Sequence, residues 1–396
     1  MKLMAVEAAR AAMLAEAVTA GLETVPLAAA VGRVLGEPVS AGRDQPPFDA
    51  SAMDGYAIRA ADGPGDLRVV GESAAGHGHA AALGPGEAVR IFTGAAVPAG
   101  ADAVVIQEDC RREGDRVQVP AAKPGDNIRG RGRDFQAGQV LVEAGRRIDP
   151  WILSLCASAG RADVVVRRRP RVVILSTGEE IVDPPASPGP FQIYDSGSPA
   201  LAAMAEAWGA EVVRRSGVRD SLDAVTDALA GADGDLVVTV GGASVGDHDL
   251  VRAAAGRLGL EMRVESVAMR PGKPTFFGVL GDGRRMLGLP GNPASAFACA
   301  ELFLRPLVAA CLGTDPALRM AGARLAEPLG SNGPREHWMR ARLETVEGGW
   351  MAHPYRDQDS SLVTVFAAAD ALLRRPAGAP ALAAGDPVEV LLLDRL

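Results

Sequence analysis

The chain has 396 residues, is 48% hydrophobic and 23% charged, and carries a formal net charge of −8. That length exceeds what one hydrophobic core supports and predicts about two to four domains. The acidic balance argues against a general nucleic-acid or acidic-membrane binder, and only a local basic groove stays open. Arg111-Arg112, Arg131 with Arg133, and Arg167 to Arg171 are the dense basic spots, and the last reads as a solvated strand entrance. The first residues lack a sustained apolar stretch and no run approaches about eighteen apolar residues, which predicts a cytoplasmic protein with no membrane contact. Cys110, Cys156, Cys299 and Cys311 have neither CxxC nor zinc spacing and read as free thiols. His77 and His79 lie in a glycine loop that reads as flexible rather than metal-binding.

Val6 to Ala20 has helical composition and is stopped by Gly21. Proline-bearing segments follow to Pro47. From Asp66 to Val142 short β-like runs alternate with glycines ("LRVVGES", "EAVRIFTG", "ADAVVIQEDC", "DRVQVPA"), which predicts a small β-rich domain. Asp149 and Pro150 then open a helix through Ala159, as N-cap and first-turn proline. Next, "RVVILSTGEEI", "EVVRRSG" and "DLVVTVGG" read as strands, separated by the helices "SPALAAMAEAWGA" and "SLDAVTDALAG". That alternation indicates a parallel sheet with crossover helices, and ligands of such sheets sit beyond the carboxyl ends of the strands. Ser176 to Glu180 and Thr239 to Asp249 therefore fall on one rim. "TFFGVL", "RRMLGLPGNPAS" and an apolar helix from Ala294 to Val308 complete the domain. From Arg319 the chain returns to strand-like runs, among them "HWMRARLE" and "DPVEVLLL".

Three loops of this α/β region suit an oxyanion. "VGGASVG" offers glycine-rich backbone amides after a strand, without the Gly-Lys-Ser/Thr of a Walker A loop. "RPGKP" (270–274) sets two cations around a proline-stiffened turn, and "GLPGNPAS" (288–295) leads into a helix N-terminus. Together they indicate an enzyme with a phosphorylated ligand. Asp54, Asp134, Glu180, Asp220 and Asp249 stand beside Gly or Arg in candidate loops. Any one of them is ordinarily a cap or a surface group. Beside a phosphate they would serve through a divalent cation or by steering a water.

The motifs "PPFDASAMDGYAI" (47–58), "TGAAVPAGADAVV" (93–105), "NIRGRGRDF" (127–135), "STGEE" (176–180), "GGASVGDHD" (241–249), "RPGKP" and "GLPGNPAS", in this order, resemble the molybdopterin molybdenumtransferase family of MoeA-type and gephyrin-like proteins. The resemblance implies molybdenum insertion from molybdate into adenylylated molybdopterin, with Mg²⁺, releasing AMP. It implies a discontinuous linker domain with helices (1–50 and 138–168) and an inserted β-rich domain (51–137). A three-layer α/β pterin-binding domain with a parallel-dominated sheet (169–317) and a small C-terminal β domain (318–396) follow. A homodimer is implied, with Asp54 and Asp134 facing Glu180, Asp220 and Asp249 of the other subunit, the last three as Mg²⁺ ligands. Transient contact with the adenylyltransferase and with molybdoenzyme maturation factors would follow.

For the substrate side the resemblance points to Thr177, Gly178, Asp195, Ser196, Gly241, Gly242, Ser244 and Gly246, with Pro290, Asn292 and Pro293 shaping a loop. Arg270, Lys273 and Ser295 match molybdate- and phosphate-side groups, with Arg335 and Ser360 or Ser361 from the last domain. Arg270 stands where the family commonly has Lys, and Gly197 where it has Asn in "DSN". The rival readings are the pathway's adenylyltransferase, whose pterin domain is similar to residues 170–309, a tungsten-preferring paralogue, and a non-catalytic scaffold of the same fold.

Overall fold

The computed structural model describes residues 3–242 and 250–393. The chain forms two compact units, one of residues 24–166 and the other of the N-terminal 23 residues with everything from Arg167 onward.

In the first unit, the segments around residues 24–50 and 138–166 share a core of Val25, Leu35, Val39, Val142, Ile148, Cys156 and Val166. Strand Val39–Ser40 pairs antiparallel with Val140–Val142. Helix Pro150–Ser158 starts as expected, because the Asp149 carboxylate accepts the Ile152 N–H at 2.7 Å and Pro150 occupies the first turn, where a missing N–H costs nothing. Residues 51–137 build a six-stranded sheet whose strands include Gly55–Ile58, Gly65–Ser73, Glu87–Ile91, Ala103–Ile106 and Arg116–Val119.

In the second unit a six-stranded sheet runs Glu211–Val218, Arg171–Thr177, Leu236–Val240, Arg285–Leu289, Phe276–Val279, Glu261–Val264. The first four are mutually parallel, Phe276–Val279 runs antiparallel to them, and Glu261–Val264 is antiparallel to Phe276–Val279. Helix Gly197–Trp208 leads out to one neighbour of Arg171–Thr177, and helix Leu222–Ala230 leads back to the other. The chain therefore reverses direction between Arg171–Thr177 and Leu236–Val240, and a crevice opens beyond their carboxyl ends.

Helix Pro293–Cys311 packs in this core. By length and mean composition alone it would pass for a membrane span, but Glu301 and Arg305 interrupt its apolar run and 78% of that stretch is buried inside the domain. Its turn Ala300–Leu304 widens to a π-helix just before Pro306, whose ring and missing N–H interrupt the regular ladder.

The Arg167–Arg171 run is not a merely solvated entrance. Arg168 clasps Asp235 through two 2.9 Å bonds, and Arg171 pairs with Asp233 and Glu211. The N-terminal helix spans Val6–Ala15 rather than reaching Ala20, since the chain turns at Glu16 and the Ala20 N–H donates to the Cys311 carbonyl at 2.7 Å. Residues 3–23, expected in the discontinuous linker, belong with the α/β unit. Leu3–Met4 pairs with Ser266–Val267, and the helix packs on Glu261–Val264.

The C-terminal strands close on themselves. Glu336–Val346 pairs with both Gly349–Pro354 and Ala371–Arg375, and Met320–Leu325 and Pro387–Leu392 complete a small barrel. Met269–Arg270 adds to it in parallel register, Arg270 opposite His337, and so ties the basic "RPGKP" loop to the barrel.

Candidate active site

A cleft of about 840 Å³ lies at the carboxyl ends of Arg171–Thr177 and Leu236–Val240. It is lined by Thr177, Gly178, Glu180, Asp195, Ser196, Asp220, Gly241, Gly242, Pro290, Asn292, Pro293 and Ser361, all named from the sequence. Ser244, Gly246 and Asp249 lie outside the described residues.

The "STGEE" loop is held by its neighbours. The Glu179 N–H donates to Asp220 Oδ2 at 3.3 Å, the Gln192 amide to the Glu179 carbonyl at 3.0 Å, and the Ile193 N–H to the Glu180 carbonyl at 2.7 Å. Gly178 has φ +132°, and a Cβ there would meet Glu180 Oε2 at 2.7 Å. The glycine is thus what lets the Glu180 carboxylate fold back along the rim. Glu180 and Asp220 are both exposed to the cleft, whereas the described residues contain no group of three His, Cys, Asp or Glu placed to hold a metal. The Thr177 hydroxyl is buried and has no hydrogen-bond partner among the described residues.

Several of the expected ligand-side residues also carry contacts of the fold itself. Gly241 and Gly242 have φ +89° and +63°, and a Cβ on them would press on Thr177 and Val251, so packing already demands glycine there. The Asp195 carboxylate is occupied in opening helix Gly197–Trp208, where it accepts the Gly197 N–H at 3.0 Å and the Ser198 N–H and hydroxyl at 2.9 and 2.5 Å. At the helix start Asn292–Ala294, two positions have no free amide. Pro293 has none, and the Ala294 N–H donates to the Ser360 carbonyl at 3.1 Å. Asn292 Nδ2 donates to the Ser360 hydroxyl at 2.8 Å, and the Ser361 hydroxyl donates to Asp359 at 2.6 Å. A Cβ at Gly197 meets Val240 Cγ1 at an ordinary 3.6 Å, so the absence of the Asn side chain there is not imposed by packing.

Arg270, Lys273, Ser295, Arg335 and Ser360 are not in the cleft wall. Ser295 is 4% exposed within its helix. Arg270 and Arg335 instead join a cationic cluster on the barrel that sequence reasoning missed. His337, Arg340 and Arg375 are 9%, 0% and 2% exposed. Burial, then Arg270, Arg340, Arg335 and Arg375, push the His337 pKa down to about 4. Arg340 donates Nη2 to the Asp359 carbonyl at 3.1 Å, but its Nε and Nη1 have no partner among the described residues, and neither does His337 Nε2. Such buried, unpaired donors on a guanidinium are costly unless an acceptor arrives.

The Gln358 side chain joins this cluster to the cleft. It accepts the Arg340 N–H at 2.9 Å and donates to the Arg340 carbonyl at 3.0 Å, which fixes the loop carrying Ser360 and Ser361. The available signal was register: Arg340 shares a strand face with Trp338, opposite to Met339, Ala341 and Leu343 of the barrel core, and both are fully buried there, where a cation is unusual.

Asp54 and Asp134 lie in the other unit. Their motifs meet there, since Ala50–Ser51 pairs with Ile128–Arg129 and the Ser51 N–H donates to the Ala95 carbonyl at 2.9 Å. Asp54 Oδ1 accepts the Thr93 N–H and hydroxyl, both at 2.8 Å, and these bonds hold its carboxyl below the usual range. Asp134 is exposed, with its N–H donated to the Gln45 carbonyl at 2.9 Å. Gly55, next in the chain, admits the neighbouring strand: a Cβ would lie 1.8 Å from the Val105 carbonyl oxygen.

Residues 4–160 match the family profile "MoeA N-terminal region (domain I and II)", 173–310 match "Probable molybdopterin binding domain", and 322–393 match "MoeA C-terminal region (domain IV)". A molybdopterin molybdenumtransferase of Nostoc sp. is 38% identical over 94% of this chain and 88% of its own length. One from Bacillus subtilis is 35% identical over 94% and 90%. The crystal structure of a molybdopterin biosynthesis MoeA protein from Pyrococcus horikosii superposes with a TM-score of 0.88 at 34% identity, covering 100% of both chains. The chain belongs to the molybdopterin molybdenumtransferase (MoeA) family.

Proposed function

We propose that this protein inserts molybdenum into molybdopterin, taking adenylylated molybdopterin and molybdate and releasing AMP. The observation that carries this reading is the coupling, through Gln358 and the Ser360–Ser361 loop, of a carboxylate-rimmed cleft to a buried cationic cluster with unpaired donors. Molybdate is a tetrahedral dianion that suits fixed, charge-assisted donors, and Arg340 with Arg270, Lys273 and Arg335 supplies them. The unpartnered Thr177 hydroxyl is placed to bond a substrate oxygen in the cleft.

Glu180 and Asp220 fit Mg²⁺, which is typically held by one or two carboxylates together with substrate phosphate oxygens, and Asp249 would add a third carboxylate. Bound there, Mg²⁺ would neutralise charge on the adenylyl phosphate. The remaining work falls to the chain itself: the rim carboxylates orient the phosphate end, the arginines hold the oxyanion, and Asp54, kept ionised by Thr93, steers a water or proton. We assign Asp54 and Asp134 to the cleft of the partner subunit in a homodimer.

Purified protein with Mg²⁺ and adenylylated molybdopterin should release AMP only when molybdate is added. Consumption of ATP with free molybdopterin would instead identify an adenylyltransferase. For the shared site, mixing inactive Asp54→Ala and Glu180→Ala proteins under subunit exchange should restore activity. Lack of restoration despite mixed dimers would place all the carboxylates within one subunit.

A further inference from the structure

A second cavity, of about 260 Å³, opens at the other end of the same sheet, where the parallel strands begin. Arg168 lies just before strand Arg171–Thr177, and Leu236 and Arg285 are the first residues of theirs. This cavity shares no lining residue with the cleft. Its walls are Leu236, Leu307, Cys311 and the segment 17–21. That segment is latched in place by the Ala20 N–H on the Cys311 carbonyl and the Arg168 N–H on the Gly21 carbonyl, both at 2.7 Å.

The charges at this cavity are unequal. Arg168 and Asp235 neutralise each other through their two 2.9 Å bonds, and Asp235 also accepts the Arg171 N–H at 2.7 Å. Burial, with Asp235 adding to it, pushes the Cys311 thiol up to about 11, so that wall is an uncharged sulfur at neutral pH. Arg285 shares the one Asp235 carboxylate without a hydrogen bond to it. Its Nε donates to the Glu16 carbonyl at 2.8 Å, and its terminal nitrogens have no hydrogen-bond partner among the described residues. A cavity whose lining sets two arginines against one carboxylate, beside apolar side chains, is satisfied by a small anion that has an apolar body.

We propose that this cavity is a second ligand site, selective for a compact apolar monocarboxylate. The carboxylate lies on Arg285 and the apolar body against Leu236 and Leu307. Drug-sized ligands occupy pockets of roughly 300–1,000 Å³, so the smaller space limits the guest to about a single ring or a short branched chain.

Benzoate is the probe, with benzylamine as its cationic counterpart, and Cys311 alkylation by iodoacetamide, followed by mass spectrometry on the full chain, is the readout. Benzoate should slow Cys311 alkylation about fivefold or more while Cys110, in the other unit, reacts unchanged. Benzylamine should protect neither thiol. Arg285→Gln, which keeps a donor for the Glu16 carbonyl, should weaken calorimetric benzoate binding about tenfold, whereas Cys311→Ser should leave it intact. Equal protection by both probes, no protection by benzoate at about 10 mM, or unchanged affinity in Arg285→Gln overturns the proposal. Should that variant not fold, the contrast between the two probes on the native chain decides.

Discussion

Acid should loosen the C-terminal barrel through a single imidazole. His337 is 9% exposed, and burial, reinforced by the four surrounding arginines, lowers its pKa from 6.5 to about 4. Between those two values the unfolded chain binds the proton and the folded one does not. The stabilising contribution is therefore whole above pH 6.5 and is lost as pH falls toward 4. At about 1.4 kcal/mol per pH unit, the full effect is roughly 3 kcal/mol. The interval from pH 7 to 5 accounts for about 2 kcal/mol, because at pH 5 the unfolded imidazole is almost wholly protonated and the folded one scarcely.

Hydrogen exchange along strand Glu336–Val346, measured in a urea series at both pH values, reads the barrel's own stability without assuming that the two units unfold together. Carboxylates elsewhere contribute to the wild-type loss, so the comparison is with His337→Gln, whose loss between pH 7 and 5 should be smaller by about 2 kcal/mol. Equal losses in the two proteins, within about 0.5 kcal/mol, would show that the imidazole is not held neutral by its surroundings.

Gly55→Ala should cost about 3 kcal/mol or more, read as a lower melting temperature of the unit containing it, since strand Ala103–Ile106 must yield to the new methyl group. An unchanged melting temperature would mean that the strand pair relaxes freely. Asp54→Asn keeps an oxygen for Thr93 and should melt like wild type, while molybdate-dependent AMP release falls about a hundredfold. Undiminished release would remove Asp54 from the chemistry. Arg340→Met replaces the buried guanidinium at similar volume and should not destabilise the barrel, yet molybdate affinity by equilibrium dialysis should drop about 10- to 100-fold. Retained affinity would place the oxyanion elsewhere.

Much of this protein was legible in one dimension because the signals are local. The βα alternation from Arg171 to Ala230, the Asp149-Pro150 helix start and the Ser221 N-cap of the next helix depend on neighbours within a few residues, and periodicity and capping chemistry report them directly. The ordered motifs likewise identified the family. The rim of the cleft follows from architecture, since strands of a parallel sheet present their carboxyl ends together, and Thr177, Glu180 and Asp220 are found there.

Tertiary structure decided what each group is free to do. Asp195, Gly241, Gly242 and the Ala294 amide all carry ligand-like signatures, yet contacts with Ser198, Thr177, Val251 and Ser360 already occupy or require them. The need for glycine at position 55 is set by Val105, which lies 50 residues further along the chain. Arg340 and His337 read as ordinary strand residues until the Gln358–Asp359 loop covers the one and Arg270 is added opposite the other. Whether a polar group is spent or available depends on desolvation and on partners brought in from distant segments, and no local spacing encodes that.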